Sequence, residues 1–355
     1  MLLPILVALG SVISGATANA ADEPFKVAFV YVGPVSDHGW TYRHDIGRKA
    51  IEEEFGDKVE TTFVESVAEG ADAERVLRKL ASDGNDLIFT TSFGYMNATV
   101  KVAKQFPDVK FEHATGYKRA DNVSTYSGRF YEGRAVNGTI AGLLTKTNTI
   151  GYISSFPIPE VVRGINATAI AMRKVNPDAE IKVVWVNTWY DPGKEADAAK
   201  TLIDQGADII MQHTDSPAPL QVAEERGVNG FGQASDMKTF APQAQLQTII
   251  DDWNPYYIER TRAAMEGTWE SLDTWSGIKD GMVGFGDYGP GVPEDVKAAA
   301  EIVREGIVSG ALHAFQGPIF NQDGEEIVAE GESLSDEVLL GMDYYVQGVV
   351  GSLPK

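Results

Sequence analysis

Apolar runs and amphipathic stretches alternate along the chain from residue 26 onward. Residues 26–32 (KVAFVYV) and 86–92 (DLIFTTS) are short and mostly apolar, which predicts buried strands. In segments such as 45–55 and 72–84, apolar positions recur every three or four residues, which predicts helices that bury one face. Strands that alternate with helices form parallel sheets joined by crossover helices, so the pattern predicts an α/β fold.

The same order of elements restarts near residue 149. Residues 70–92 (GADAERVLRKLASDGNDLIFTTS) and 193–214 (GKEADAAKTLIDQGADIIMQHT) share a charged helix, a glycine turn, an aspartate and an apolar strand. This weak internal duplication predicts two doubly wound, Rossmann-like lobes with a ligand cleft between them. We assign residues 24–125 plus about 246–280 to lobe 1, and about 126–245 plus 281–345 to lobe 2.

Charge and cysteine content narrow the classes of function. The formal net charge is −21, and a surface of that sign repels phosphate backbones, so we expect no nucleic-acid partner. The sequence contains no cysteine, which excludes disulfides, thiolate nucleophiles, cysteine-ligated metals and a lipid anchor on an N-terminal cysteine. Stability must therefore come from an apolar core, for which 43% hydrophobic residues are sufficient.

The N-terminal segment predicts export. Residues 1–20 (MLLPILVALGSVISGATANA) are apolar or small, carry no charge and end in Ala-Asn-Ala, the pattern of a signal peptide and its cleavage site. Charges, glycine or proline interrupt every later apolar run, so no other segment predicts a membrane span. We expect a soluble periplasmic protein.

Aromatic and acidic residues follow several of the predicted strands. Open parallel sheets bind ligands beyond the carboxyl ends of their strands, and two facing lobes would bring those ends to one cleft. The candidates for ligand contact are Asp37, Trp40, Phe93, Tyr95, Trp189, Asp215 and Asp236. Aromatic faces stack on flat rings, and ionised carboxylates accept hydrogen bonds from N–H or O–H groups. The pattern predicts a site for a flat, polar ring.

Blocks spread over nearly all of residues 24–355 carry a family resemblance. They read VSDHGW, FEHATGY, GRFYEGRAVNGTIAG, NTWYDPGKE, QGADIIMQHTDSPAPLQVAEERG, GFGQASDM, IKDGMVGF and GPIFNQDG. In these blocks the chain resembles the basic membrane protein family, also called the PnrA-like family, of periplasmic substrate-binding proteins. The resemblance implies a type I periplasmic-binding fold and delivery of a purine nucleoside or nucleobase to the permease of an ABC importer.

The resemblance also implies roles for particular residues. Trp40 matches an aromatic residue that stacks on the purine, and Trp189 matches a second aromatic residue contributed by the other lobe. Asp236 matches an aspartate at a strand end that precedes the return to lobe 1.

Two positions depart from the nucleoside-binding members. Those members carry a second acid or an amide in the first loop and a lysine before a later helix, where this chain has Ser36-Asp37 and Asp252-Trp253. We add Trp253 to the candidates for ligand contact. We expect a free purine base, adenine first, to bind more tightly than its nucleoside.

Each candidate also has a purely structural explanation. The aromatic residues would pack within their own lobes or at the hinge, and Asp37 and Asp236 would cap helices. Asp191 is predicted to be such a cap, because Pro192 after it suits the first position of a helix.

Two other functions remain open from the sequence. A purine nucleoside hydrolase would use Asp37, Asp215 or Asp236 as acid or base, although no clustered acidic pair marks a catalytic site. A ligand-sensing partner of a membrane receptor would have the same cleft. The five histidines lack a metal-ligand spacing, so we expect no metal, no cofactor and no catalytic residue.

Overall fold

The computed structural model describes residues 23–36 and 38–354. The predicted signal peptide and the candidate Asp37 lie outside these residues. Of the helices in the described part, none is long and apolar enough to cross a bilayer.

The described residues form strands of two to seven residues. They are β1 (Phe25–Val30), β2 (Val59–Val64), β3 (Leu87–Thr90), β4 (Lys110–Ala114), β5 (Val123–Gly128), β6 (Thr149–Ser154), β7 (Glu180–Trp185), β8 (Ile209–His213), β9 (Asn229–Gly232), β10 (Gln245–Asp251), β11 (Asp273–Ser276), β12 (Val283–Phe285), β13 (Ile319–Phe320), β14 (Glu326–Val328) and β15 (Val349–Val350).

Helices separate most of these strands. They are α1 (Gly39–Phe55), α2 (Ala71–Ser82), α3 (Met96–Ala103), α4 (Phe130–Leu144), α5 (Pro159–Val175), α6 (Pro192–Asp204), α7 (Ala218–Arg226), α8 (Asn254–Met265), α9 (Glu294–Ser309) and α10 (Asp336–Leu340). Asp191 caps α6 as predicted, since its Oδ1 accepts a hydrogen bond from Lys194 N at 3.1 Å.

Two large sheets repeat one strand order. The six-stranded sheet runs β11-β5-β4-β3-β1-β2, and all of its pairs are parallel. The seven-stranded sheet runs β12-β10-β9-β8-β6-β7-β15, with only the β10–β12 pair antiparallel. Strands β3 and β8, which end the two similar sequence segments, occupy the same place in the two sheets. The two parallel, doubly wound lobes predicted from the sequence are therefore present.

Apolar clusters cover both faces of each sheet. On the six-stranded sheet, α1 and α8 cover one face through Ile51 and Tyr257, and α2 and α3 cover the other through Leu77 and Val102. On the seven-stranded sheet, α4, α5 and α9 cover one face, and α6 and α7 cover the other. The central strands, which are covered on both faces, bury nearly all of their side chains, and this explains why they read as continuous apolar runs.

The described chain passes between the two sheets after β5, after β10 and after β11. The sequence assignment placed residues 246–251 in lobe 1, whereas β10 pairs with β9 and β12 in the seven-stranded sheet. The chain therefore returns from lobe 2 to lobe 1 after β10 and not before it. The short C-terminal strand β15 also pairs with β7, beyond the predicted end of lobe 2 at residue 345. We propose the crossings at 128–130, 251–254 and 276–283 as the lobe boundaries.

Candidate ligand-binding site

A cavity lies where the carboxyl ends of both sheets face each other. It encloses about 340 Å³ when the open space at its mouth is included. Its lining residues all follow or end strands of the two lobes. They are Val32, Trp40, Ser92, Phe93, Thr115, Glu160, Trp189, His213, Asp215 and Gln233.

Trp40 forms the lobe 1 wall from the first turn of α1. Its Nε1 donates a hydrogen bond to Thr91 O at 2.7 Å, which ties the indole to the end of β3. The rings of His44, Phe130 and Trp253 lie 4.4 to 6.0 Å from it at angles of 71 to 78°. These contacts hold the indole in one orientation before any ligand arrives.

Trp189 forms the opposite wall, in the loop between β7 and α6. Its ring lies 5.1 Å from Phe156 and 6.4 Å from His213. Its Nε1 donates to Glu69 Oε1 of lobe 1 at 3.2 Å. The same Glu69 oxygen accepts hydrogen bonds from Ser92 Oγ and Gly94 N, so the bond from Trp189 ties lobe 2 to lobe 1 at the cleft.

Acidic groups line the lobe 2 side of the cavity. Asp215 is 9% exposed, and burial followed by the charges of Glu195, Asp251 and Glu160 raises its carboxyl pKa well above the ordinary value. His213 Nε2 lies 3.4 Å from Glu160 Oε1, yet burial still lowers the histidine pKa. A neutral Asp215 carboxyl can donate one hydrogen bond and accept others.

A buried arginine stands behind this side of the cavity. Arg134 of α4 is 1% exposed, and its guanidinium donates to Gln212 O at 2.9 Å and to the amide oxygen of Gln233. Its Cζ lies 5.6 Å from the centre of the Tyr152 ring. Arg134 therefore supports Gln233, which lines the cleft.

The lobes are in contact around the cleft. Gly39 N donates to Ser235 Oγ at 2.6 Å, which joins the start of α1 to the loop after β9. A Cβ at Gly39 would lie only 2.5 Å from Asp215 O, and the backbone φ there is +79°. Only glycine fits this approach without strain. Because hydrogen bonds join the two lobes across the cleft, this arrangement of the lobes is a closed one.

Four of the eight predicted ligand residues line the cavity. They are Trp40, Phe93, Trp189 and Asp215. The expected contact of Asp37 stays a prediction, because that residue lies outside the described part of the chain.

The structure places the other three candidates elsewhere. Tyr95 is fully buried, with its hydroxyl bonded to Val67 O at 2.6 Å. Trp253 is also fully buried, behind Trp40 and stacked 4.8 Å from His44. Asp236 is exposed and accepts hydrogen bonds from Lys238 N and Gln245 Nε2 in the loop between β9 and β10, where no helix begins. Their expected contact with a ligand has no support in this geometry.

Sequence reasoning missed five polar residues of the cavity, of which Ser92 and Thr115 lie just after strands β3 and β4 of lobe 1 and the other three belong to lobe 2. Glu160 stands in the first turn of α5, His213 ends β8 and Gln233 directly follows β9. The rule that ligands bind at strand ends points to His213 and Gln233, because both lie at the ends of short apolar segments. Glu160 carries no such signal, since it stands seven residues beyond Ile153, the last apolar position of β6.

The profile of one family matches residues 25–311 of the chain, and it describes the ABC transporter substrate-binding protein PnrA-like family. The chain belongs to this family. The PnrA-like family is a family of solute-binding proteins, and the resemblance seen in the sequence blocks is confirmed.

Two relatives of the chain are similar over most of their length. A purine-binding protein of Brucella abortus strain 2308 is 58% identical over 338 residues, which cover 95% of this chain and 96% of the relative. A protein of Haloferax volcanii, provisionally named as an ABC transporter glucose-binding protein, is 40% identical and covers 94% and 82% of the two chains. The chain is thus similar to binding proteins named for different ligands.

Solved structures support the fold. An ABC transporter solute-binding protein of Aeropyrum pernix K1 aligns with a TM-score of 0.72 at 20% identity, covering 83% of this chain and 94% of that one. One from Conexibacter woesei aligns with a TM-score of 0.62 at 23% identity, covering 81% and 97%. The type I periplasmic-binding fold expected for a PnrA-like protein is therefore confirmed.

Proposed function

We propose that this PnrA-like protein is a periplasmic receptor that binds a purine between its lobes and delivers it to the permease of an ABC importer. The observation that carries the proposal is the cavity itself, in which Trp40 and Trp189 stand on opposite lobes beside the buried carboxyl of Asp215. The purine-binding relative at 58% identity supports the choice of ligand.

The two tryptophans account for recognition of a flat ring. Stacking between a base and an aromatic side chain contributes about 1 to 3 kcal/mol per base in single-strand binding proteins. Because the tryptophans come from different lobes, only the closed protein would offer both faces to the ligand. Ligand binding therefore favours closure, and the closed form is what the permease would recognise.

Asp215 accounts for selection at the ring edge. The sequence-based expectation used an ionised carboxylate at Asp37 or Asp236, whereas the carboxyl that lines the cavity is Asp215, whose pKa is raised. A protonated carboxyl donates through O–H and accepts through C=O. It therefore suits the six-membered-ring edge of adenine, guanine or hypoxanthine, where a donor stands beside an acceptor. Unsubstituted purine has no donor at that edge, so it suits this contact poorly.

The proposed ligand is a free base, with adenine first. We expect a cavity closed by the indoles of Trp40 and Trp189 to leave no room for a sugar beside the ring. We expect adenine to bind more tightly than adenosine, and unsubstituted purine to bind much more weakly than adenine.

Mass spectrometry of the protein released from the periplasm tests the proposal through whatever ligand it retains. Calorimetric titration then compares adenine, guanine, hypoxanthine, adenosine, unsubstituted purine and glucose. Binding of glucose but of no purine would contradict the proposed ligand class. A tighter constant for adenosine than for adenine would contradict the preference for a free base.

One incubation experiment tests whether the protein hydrolyses purine nucleosides or only binds them. Purine nucleosides are incubated with the protein at a concentration well above that of any ligand the protein retains. Chromatography then measures the free base that is released. We expect none above the rate without protein, because a receptor returns its ligand unchanged.

A further inference from the structure

The side chain of Gln233 is oriented by a charge on its far side. Gln233 is 5% exposed and lines the cavity directly after β9. Its amide carries an oxygen that only accepts hydrogen bonds and an NH₂ group that only donates them. Which of the two faces the cleft determines what a ligand must present at this position.

Arg134 decides that orientation. A guanidinium has donors and no acceptor, so the Gln233 atom that it binds must be the amide oxygen. Arg134 cannot easily turn away, because Gln212 O binds the same nitrogen at 2.9 Å and the guanidinium lies beside the Tyr152 ring. A flipped amide would place two sets of donors against each other in a buried setting, which is costly.

We propose that Arg134 acts as a positioning residue that holds the Gln233 amide with its NH₂ group toward the cleft, so that the site selects ligands with a hydrogen-bond acceptor there. This inference rests on the proposed function. The acceptor is a ring nitrogen or a ring carbonyl of the purine. Asp215 and Gln233 then read two different parts of the ring, since Asp215 follows β8 and Gln233 follows β9.

Deaza analogues of adenine test the contact one ring nitrogen at a time. Calorimetry compares adenine with 1-deaza-, 3-deaza- and 7-deazaadenine on the wild-type protein and on Gln233→Leu. We expect one analogue to bind the wild-type protein about tenfold more weakly than adenine, and that penalty to disappear on Gln233→Leu. Equal penalties on both proteins for all three analogues would overturn the inference.

Gln233→Glu provides the matched variant, because it keeps the shape and replaces the donor by an acceptor. One carboxylate oxygen would pair with Arg134, and the other would face the acceptor of the ligand. We expect adenine to bind Gln233→Glu more weakly than it binds Gln233→Leu. Wild-type affinity in Gln233→Glu would show that no donor is needed, and it would overturn the proposal.

Arg134→Met tests the positioning role itself. Without the guanidinium the amide can turn either way, so adenine and the sensitive deaza analogue should differ less than they do on the wild-type protein. An unchanged difference would overturn the role of Arg134. If this variant fails to fold, the two Gln233 variants still decide the donor. Failure of every purine to bind the wild-type protein would instead reject the proposed function.

Discussion

At the scale of single residues, the site depends on side chains that the protein holds in place before a ligand binds. Trp40 illustrates this, because its Nε1 is bonded to Thr91 O and three rings surround it. A side chain held in this way loses little further conformational entropy on binding, so more of the stacking free energy appears as affinity.

Replacing Trp40 by alanine should therefore weaken purine binding without unfolding the protein. Loss of one stacking partner costs about 1 to 3 kcal/mol, which corresponds to roughly a tenfold to hundredfold rise in the dissociation constant. Calorimetry with adenine measures the constant, and circular dichroism measures the melting temperature of both proteins.

Trp40→Phe is the matched control, because it keeps an aromatic face and loses the bond to Thr91 O. We expect its affinity to lie between those of the wild-type protein and Trp40→Ala. An unaltered dissociation constant in Trp40→Ala, at an unaltered melting temperature, would exclude Trp40 from the ligand contacts.

The burial of Asp251, at the end of β10, predicts how the stability of the protein depends on pH. Asp251 is 1% exposed, and its two carboxylate oxygens have no hydrogen-bond partner among the described residues. Burial is the main cause that raises its pKa well above the ordinary value. The folded protein thus holds the carboxyl proton of Asp251 more tightly than the unfolded chain does. The stability contributed by this proton is complete below the pKa of the unfolded chain and is lost as the pH rises through the pKa of the folded protein.

We expect Asp251→Asn to cancel this loss, because an amide stays neutral at every pH. The melting temperature of the wild-type protein should fall relative to that of Asp251→Asn as the pH rises above about 4, the pKa of an unfolded aspartate. Thermal denaturation across the acidic and neutral range measures both curves. Parallel curves would show that Asp251 does not retain its proton in the folded protein.

At the scale of elements, the start of α1 is the part of lobe 1 that meets lobe 2 most closely. Gly39 bonds Ser235 Oγ, and its backbone approaches Asp215 O so closely that a Cβ would lie 2.5 Å from that oxygen. A side chain here would obstruct closure, although Gly39 itself does not line the cavity.

Gly39→Ala should therefore shift the protein toward an open arrangement. Purine affinity should fall although no ligand contact is removed, because part of the binding free energy would be spent on closing the lobes. Small-angle X-ray scattering of the free and purine-saturated variant measures the arrangement, and calorimetry measures the affinity.

Gly84→Ala is the control that separates the obstruction of lobe closure from the strain of placing alanine at a positive φ. Gly84 follows α2 with a φ of +83°, but a Cβ there would meet no atom within 4 Å. Both variants strain the backbone, and only Gly39→Ala obstructs the cleft. If the two variants lost the same affinity, obstruction of closure could not be the cause.

At the scale of the whole molecule, two lobes are joined by a few chain crossings. Three of the apolar clusters lie within one lobe each, and the fourth, under α1 and α8, also reaches Ile249 and Val283 of the other sheet near the crossings. We expect the lobes to move about this shared region as two units. The described bonds from Trp189 to Glu69 and from Gly39 to Ser235 cross the cleft and belong to the closed form.

Purine should therefore reduce the radius of gyration measured by small-angle scattering. We expect the free protein to be larger than the closed structure described here, and the purine-bound protein to match it. A free protein that already matches the closed structure, or a saturated protein that remains larger, would contradict closure driven by the ligand.

The sequence by itself determined the fold. Strands covered on both faces must be continuously apolar, and helices on a sheet must be apolar on one side, so the alternation of β1 to β10 with their helices is visible in the residues. The similar segments 70–92 and 193–214 end in β3 and β8, which hold the same place in the two sheets. The two-residue β15 could not be recognised, because two residues carry no periodicity.

Only the tertiary structure decided which strand-end residues face the cleft. Trp40 and Trp253 are both tryptophans near strand ends, yet one lines the cavity and the other is buried behind it. The difference arises because α8 packs on α1, and that contact joins residues about two hundred positions apart. The partners that hold Trp189 and Gln233 are also distant in sequence, Glu69 and Arg134 respectively. Local patterns determine which residues form a strand or a helix, whereas the direction of a side chain at its end depends on which distant elements pack beside it.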